Sequence, residues 1–234
     1  MGATRRAHPQ TCPCRTVESA IRSRRHVKLP DPPFLLVTDR RQARRPLAEI
    51  VRGALAAGCR WVSVREKDLS QDEQIALVRT LLPMVRRAGA RLSLHGSAEL
   101  ASLCNVDGVH LSAGRDPVAA RKLLGLDKLI GVSIHTIIEA EAIDPAVTDY
   151  AIAGPAFESA SKPGYGPELG RRGLAEIAAT ARVPVLAIGG LNATRAAEVI
   201  AAGPAGIAVM GSVMRAADPE REVRALLATV TRQP

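Results

Sequence analysis

Two stretches in the last third of the chain have the composition of an anion site. In Pro184-Val185-Leu186-Ala187-Ile188-Gly189-Gly190-Leu191-Asn192-Ala193, an apolar run ends in two glycines, and Asn192 then suits the N-cap of an Ala-rich helix. Glycine lets an anion approach the backbone, and a new helix points unpaired N–H groups at it. A similar unit follows at Ala205-Gly206-Ile207-Ala208-Val209-Met210-Gly211-Ser212. Three further places add charge or proton chemistry. Arg65-Glu66-Lys67-Asp68 sets two cations beside two acids, as anion contacts or as a structural ion-pair network. His135 follows an apolar run and can act as general acid or base near neutral pH, or serve as a hydrogen-bonded structural histidine. Lys162 lies in a long Gly-rich stretch, 154–167, that suits a lid or a plain loop. His95 and His110 are weaker candidates; His110 alternates with Val109 and Leu111 and reads as a core histidine.

The elements that must carry these residues alternate regularly. Apolar runs predict strands at Phe34–Val37, Trp61–Val64, Arg91–Leu94, Val106–Leu111, Leu129–Val132, Asp149–Ile152, Pro184–Ile188 and Gly206–Val209. Amphipathic runs predict helices from near Pro46, Ser70, Ala98, Pro117, Ile137, Leu174, Ala193 and Asp218. Gly58, Gly89, Gly125 and Gly203 stand where helices stop. Eight strand–helix units with short connections predict an α/β fold, a single-domain (β/α)8 TIM barrel; a doubly wound open sheet would more often have fewer strands. In a barrel, residues just past each strand converge on one mouth. Collected there, they make a cationic, glycine-rich rim suited to a small phosphorylated substrate.

Composition narrows the class. The 234 residues are 47% hydrophobic and only 2% aromatic, so the core of one domain is built from Ala, Val, Leu and Ile. No apolar run is long enough to span a bilayer, and no signal-like h-region follows the N-terminus. The net charge of +9 is concentrated at the start, where residues 1–30 hold seven Lys/Arg against one acid. Residues 1–33 are therefore read as a basic, disordered arm ending in the stiff Pro30-Asp31-Pro32-Pro33, with the barrel at 34–234. The arm lacks aromatic interleaving, which argues against nucleic acid. Cys12, Cys14, Cys59 and Cys104 do not form paired zinc spacings, so reduced thiols, no metal site and a cytoplasmic protein are expected.

On these residues the chain resembles the thiamine phosphate synthase/TenI family over roughly 34–230. The likeness rests on Leu36-Val37-Thr38-Asp39, Val64-Arg65-Glu66-Lys67, Asp107-Gly108-Val109-His110-Leu111, Gly131-Val132-Ser133-Ile134-His135-Thr136, Gly154-Pro155 with Ser161-Lys162, and Ala187-Ile188-Gly189-Gly190. The resemblance implies two chemistries. Synthases join hydroxymethylpyrimidine diphosphate to thiazole phosphate, releasing pyrophosphate with Mg2+ held by carboxylates. TenI proteins of known activity are thiazole tautomerases that aromatise carboxythiazole phosphate by moving a proton, without metal. Synthases usually carry Gln where this chain has Ser63, Asn-Asp where it has His95-Gly96, and Gln with an acid where it has Ser112-Ala113-Gly114-Arg115. Asp116 would have to shift by one residue to replace that acid.

These departures favour the TenI-like tautomerase, with the magnesium-dependent synthase and a non-catalytic regulatory barrel as alternatives. The resemblance then implies His135 as the proton-transfer residue. It implies Arg65, Lys67, His95, Ser133 and Lys162 as substrate contacts, and Gly189, Gly190, Val209, Met210, Gly211 and Ser212 as the phosphate site. The expected partner is a small phosphorylated thiazole, with no membrane partner, no cofactor unless it is a synthase using Mg2+, and helix faces compatible with a homodimer.

Overall fold

The computed structural model describes residue 21 and residues 27–112, 114–158 and 166–231. Eight parallel strands close into one barrel in sequence order, β1 pairing with both β2 and β8. They are β1 Phe34–Val37, β2 Trp61–Val64, β3 Arg91–His95, β4 Gly108–Leu111, β5 Leu129–Ile134, β6 Tyr150–Ala153, β7 Val185–Ile188 and β8 Gly206–Val209. The helices among the described residues are α1 Leu47–Ala56, α2 Gln71–Arg87, α3 Ala98–Leu103, α4 Pro117–Leu124, α5 Ile137–Glu141, α6 Gly170–Thr180, α7 Ala193–Ala201, α8 Gly211–Met214 and α9 Pro219–Val230. The expected barrel is thus present. No helix among the described residues is long and apolar enough to cross a membrane.

The helix starts follow from their caps. Ser70 accepts from the Glu73 N–H while Glu73 bonds back to the Ser70 N–H, a reciprocal box that satisfies two orphan donors. Thr136 and Glu139 form a second such box at α5. Asn192 and Asp218 each accept from the N–H three residues on. Gly58, Gly89, Gly125 and Gly203 all have positive φ, the conformation a helix stop requires.

Strands β4 and β6 start later than their apolar runs suggest, for one reason. Asp107 donates its backbone N–H to Leu92 O at 2.7 Å, and its carboxylate accepts the Leu92 N–H at 2.8 Å. Asp149 does the same to Ile130, at 2.7 and 2.8 Å. A side chain here replaces a backbone partner, so β4 and β6 begin at the next residue or beyond. Asp149 also meets the fully buried Arg121 guanidinium at 2.5 Å, and Arg121 further donates to Gly125 O and Lys128 O. Burying this pair is tolerable because its donors are so widely used. Conversely, β5 runs on to Ile134, since Ser133 and Ile134 pair with Ile152 and Ala153 of β6. That extension brings His135 to the strand end.

The strands are buried on both faces. Outward residues such as Leu36, Val62, Leu92 and Val109 pack under the helices, while Leu35, Trp61, Leu129, Tyr150 and Leu186 fill the barrel interior. Trp61 meets Tyr150 edge-on, ring centroids 4.7 Å apart. Gly131 makes room for that tyrosine, because a Cβ there would lie 2.1 Å from a ring carbon. Val27 and Leu29 pack against the interior cluster, and Arg91 donates to Lys28 O. The 27–33 segment therefore packs on the barrel, its apolar residues finding a surface at the strand N-termini. The rest of the arm, except residue 21, lies outside the described residues, as do Cys12 and Cys14.

Candidate active site

A cavity of about 330 Å³ opens at the C-terminal ends of the strands. Of the expected site residues, Arg65, His95, Ser133, His135, Gly189, Gly190, Val209, Met210, Gly211 and Ser212 all line it. Lys162 falls outside the described residues. Lys67 is exposed and does not line the cavity; the β2 end turns it outward.

The Arg65–Asp68 stretch divides by direction. Arg65 turns inward, its backbone N–H donating to the buried Thr38 hydroxyl at 3.0 Å and its Nη1 lying 3.9 Å from Met210 Sδ. Glu66 turns away from the mouth, where its carboxylate accepts the Arg40 N–H. Burial raises the Glu66 carboxyl above its usual range, against hydrogen bonds from Thr38 and Arg40. Asp68 pairs with Arg40 at 2.7 Å. An ion-pair network with Arg40 is thus present at Glu66 and Asp68, while Arg65 faces the cavity.

Three histidines share the cavity wall. His135 follows β5 directly, and its Nδ1 meets Gly154 O at 2.5 Å. A carbonyl can only accept, so Nδ1 carries the proton and the basic lone pair of the neutral ring sits on Nε2. The loop bearing the ring is fixed by Glu139, which accepts the His135 and Thr136 N–H groups. His95 stacks on His110, ring centroids 5.1 Å apart. His110 Nε2 bonds Ser133 Oγ at 2.9 Å, while its buried Nδ1 has no hydrogen-bond partner. Burial first, then His95 and Arg65, holds His110 well below the usual histidine range, so it is neutral. The core reading of His110 is therefore half right: it is buried, but it also forms part of the cavity surface. Its alternation with apolar neighbours marked an inward position without saying that the interior opens there.

The glycine pair is required by the packing of the turn itself. Gly189 and Gly190 have φ of +111° and +61°. A Cβ on Gly190 would meet Glu158 O at 2.4 Å, and one on Gly189 would crowd Pro155 and Ala156 at 3.1 Å. The turn after β7 is packed beneath the loop after β6. Asn192 caps α7 through the Arg195 N–H at 2.9 Å, so the sequence-predicted turn and helix are both in place. Sequence reasoning missed Arg215 in the lining, and took in Glu158 only as part of the 154–167 stretch, with no role of its own. Arg215 belongs to no motif; a one-turn helix delivers it.

The described residues do not fit a magnesium site where the synthase pattern puts one. Mg2+ requires near-octahedral oxygen ligands, commonly one or two carboxylates with water and phosphate. At the β3 end stands Gly96, φ +130°, without a side chain. After β4, Arg115 is exposed, and Asp116 is exposed and engaged as the α4 N-cap, accepting the Val118 N–H at 2.7 Å. Glu158 is the single carboxylate among the described residues lining the cavity. No cluster of three potential metal ligands occurs among the described residues.

Comparison with known proteins bears on the chain as a whole. The sequence profile of the thiamine monophosphate synthase family matches residues 34–213. A thiamine-phosphate synthase of Roseiflexus sp. (strain RS-1) is 40% identical over 199 residues, covering 83% of this chain and 84% of the relative. That of Moorella thermoacetica is 38% identical over 200 residues, covering 85% and 95%. Among solved structures, thiamine phosphate pyrophosphorylase from Pyrococcus furiosus superposes with a TM-score of 0.76 at 30% identity, over 85% of this chain and 95% of that one. A 3-hexulose-6-phosphate synthase, at 18% identity and a TM-score of 0.62 over 84% and 98%, shares the fold alone.

Proposed function

The chain belongs to the thiamine monophosphate synthase family, and from that membership we propose that it is a transferase of thiamine biosynthesis, joining hydroxymethylpyrimidine diphosphate to thiazole phosphate. One observation carries this reading: relatives of that activity by name are 38–40% identical over nearly the whole barrel. It reverses the order expected from Gly96 and Arg115, which put the tautomerase first.

In the coupling, the thiazole nitrogen donates its lone pair to the pyrimidine methylene carbon. The bond from that carbon to the diphosphate oxygen breaks, and the electron pair leaves with pyrophosphate. The chain's part is to hold the two anions in line and to exclude water. The thiazole phosphate takes the N–H groups after β7 and β8, at Gly189–Gly190 and Gly211–Ser212. Arg65 supplies positive charge toward the departing pyrophosphate. Ser133, held by His110, and His95 offer polar contacts to a heteroaromatic ring.

The second reading is the tautomerase, favoured by the absence of a carboxylate pair at the β3 and β4 ends. Here His135 Nε2 moves the proton, and the same phosphate site anchors the substrate. The deciding experiment is incubation with both substrate sets, with Mg2+ and with EDTA. Formation of thiamine phosphate supports the coupling. Aromatised carboxythiazole phosphate without thiamine phosphate replaces it with the tautomerase. Tight binding with no turnover of either overturns both and leaves a regulatory binder.

A further inference from the structure

Arg215 stands at the mouth although no motif points to it. It follows the one-turn helix α8, and its backbone N–H donates to Gly211 O at 3.0 Å. Its side chain is half-buried and lines the cavity beside Gly211 and Ser212. The guanidinium is oriented from the β1 side: Nη1 donates to Gln42 Oε1, and Gln42 Nε2 donates to Asp39 Oδ2 at 2.5 Å. Asp39 Oδ1 in turn accepts the Arg41 N–H at 3.2 Å. Two more bonds fasten the same loop to the region around α8, Arg44 N–H to Met214 O at 3.1 Å and Arg45 Nη2 to Ala217 O at 2.8 Å.

A neutral amide oxygen holds the guanidinium in place without cancelling its charge, and a held arginine loses less rotamer freedom when an anion arrives. Arg65 stands against Met210, five residues before Arg215. Two guanidinium groups therefore meet the loop after β8, in a cavity whose single carboxylate among the described residues is Glu158.

We propose that Arg215 is a further anion contact, closing the phosphoryl site from the β1 side under the direction of Gln42 and Asp39. With Arg65, which meets the same loop, it supplies positive charge to the mouth from the protein itself. The proposal rests on reading the mouth as a phosphate site, not on which reaction follows.

The test is titration of the full chain with inorganic phosphate in metal-free buffer, by calorimetry. Charge-assisted hydrogen bonds of this kind predict that Arg215→Met weakens phosphate binding by about tenfold to a hundredfold. Arg215→Lys keeps the charge but not the planar fork, so it recovers part of the affinity. Gln42→Leu leaves the cation but releases its orientation, and should lose about threefold to tenfold; it serves in place of Arg215→Met if that variant folds poorly. Phosphate affinity unchanged in Arg215→Met, or in Gln42→Leu as its substitute, overturns the proposal. Failure of the unaltered protein to bind phosphate would instead refute the phosphate site itself.

Discussion

His135 donates from Nδ1 to the carbonyl oxygen of Gly154, at 2.5 Å, and so ties the end of β5 to the end of β6. The contact sets the tautomer and leaves the basic lone pair on Nε2. His135→Gln therefore separates the two chemistries. Coupling needs no proton moved at the thiazole nitrogen, and its kcat should fall by less than about tenfold. A proton shift catalysed by this ring should fall by roughly 10²–10⁴. Steady-state rates on both substrate sets provide the measurement.

Arg65 and Lys67 are two residues apart but face different surroundings. Arg65→Met should raise the KM for the phosphorylated substrate by about tenfold or more, through loss of a charge-assisted contact in a half-buried site. Lys67→Ala should change KM by less than about twofold, since an exposed cation outside the cavity is largely screened. Equal effects would mean that Lys67 swings inward when substrate binds.

Gly190 is fixed by its neighbour as well as by its backbone. Gly190→Ala should cost about 1–3 kcal/mol for a side chain in the left-handed region, lowering Tm by about 2–10 °C. It should also weaken phosphate binding, because the Cβ must displace the Glu158 carbonyl. Gly89→Ala is the control: its φ is +63°, but nothing lies within 4 Å of an added Cβ. That variant should lose stability alone. Thermal melts and phosphate titration of both variants check the pair.

His110 predicts a pH dependence of stability. The folded state holds its pKa well below 6.5, while the unfolded chain titrates near that value. As pH falls below 6.5, the unfolded state takes up a proton that the folded state does not. Stability is thus full above pH 6.5 and declines as pH drops toward the folded-state pKa. Denaturant midpoints at pH 8, 6.5 and 5 should fall more steeply in the unaltered protein than in His110→Gln. Parallel slopes would show that His110 gains its proton in the folded state.

The order of eight strands, the caps at Ser70, Asn192 and Asp218, and the glycine stops were legible because each depends on nearest neighbours in the chain. So was the membership of most of the mouth: a parallel barrel brings every strand's C-terminal end to one face, whatever its detail. Direction was not legible. Arg65 and Lys67 look equivalent in sequence, and only the path after β2 turns one inward. His110 and Asp107 read as parts of one apolar run, yet the first faces the opening and the second ends the ladder with its carboxylate. Arg215 carries no signal at all, since Gln42, the residue that orients it, stands 173 positions away. By itself the sequence determined that this chain closes a barrel with a glycine-rich candidate site at one end. Tertiary structure decided which side chains enter that site, because a side chain's reach is set by contacts between segments that local propensity cannot register.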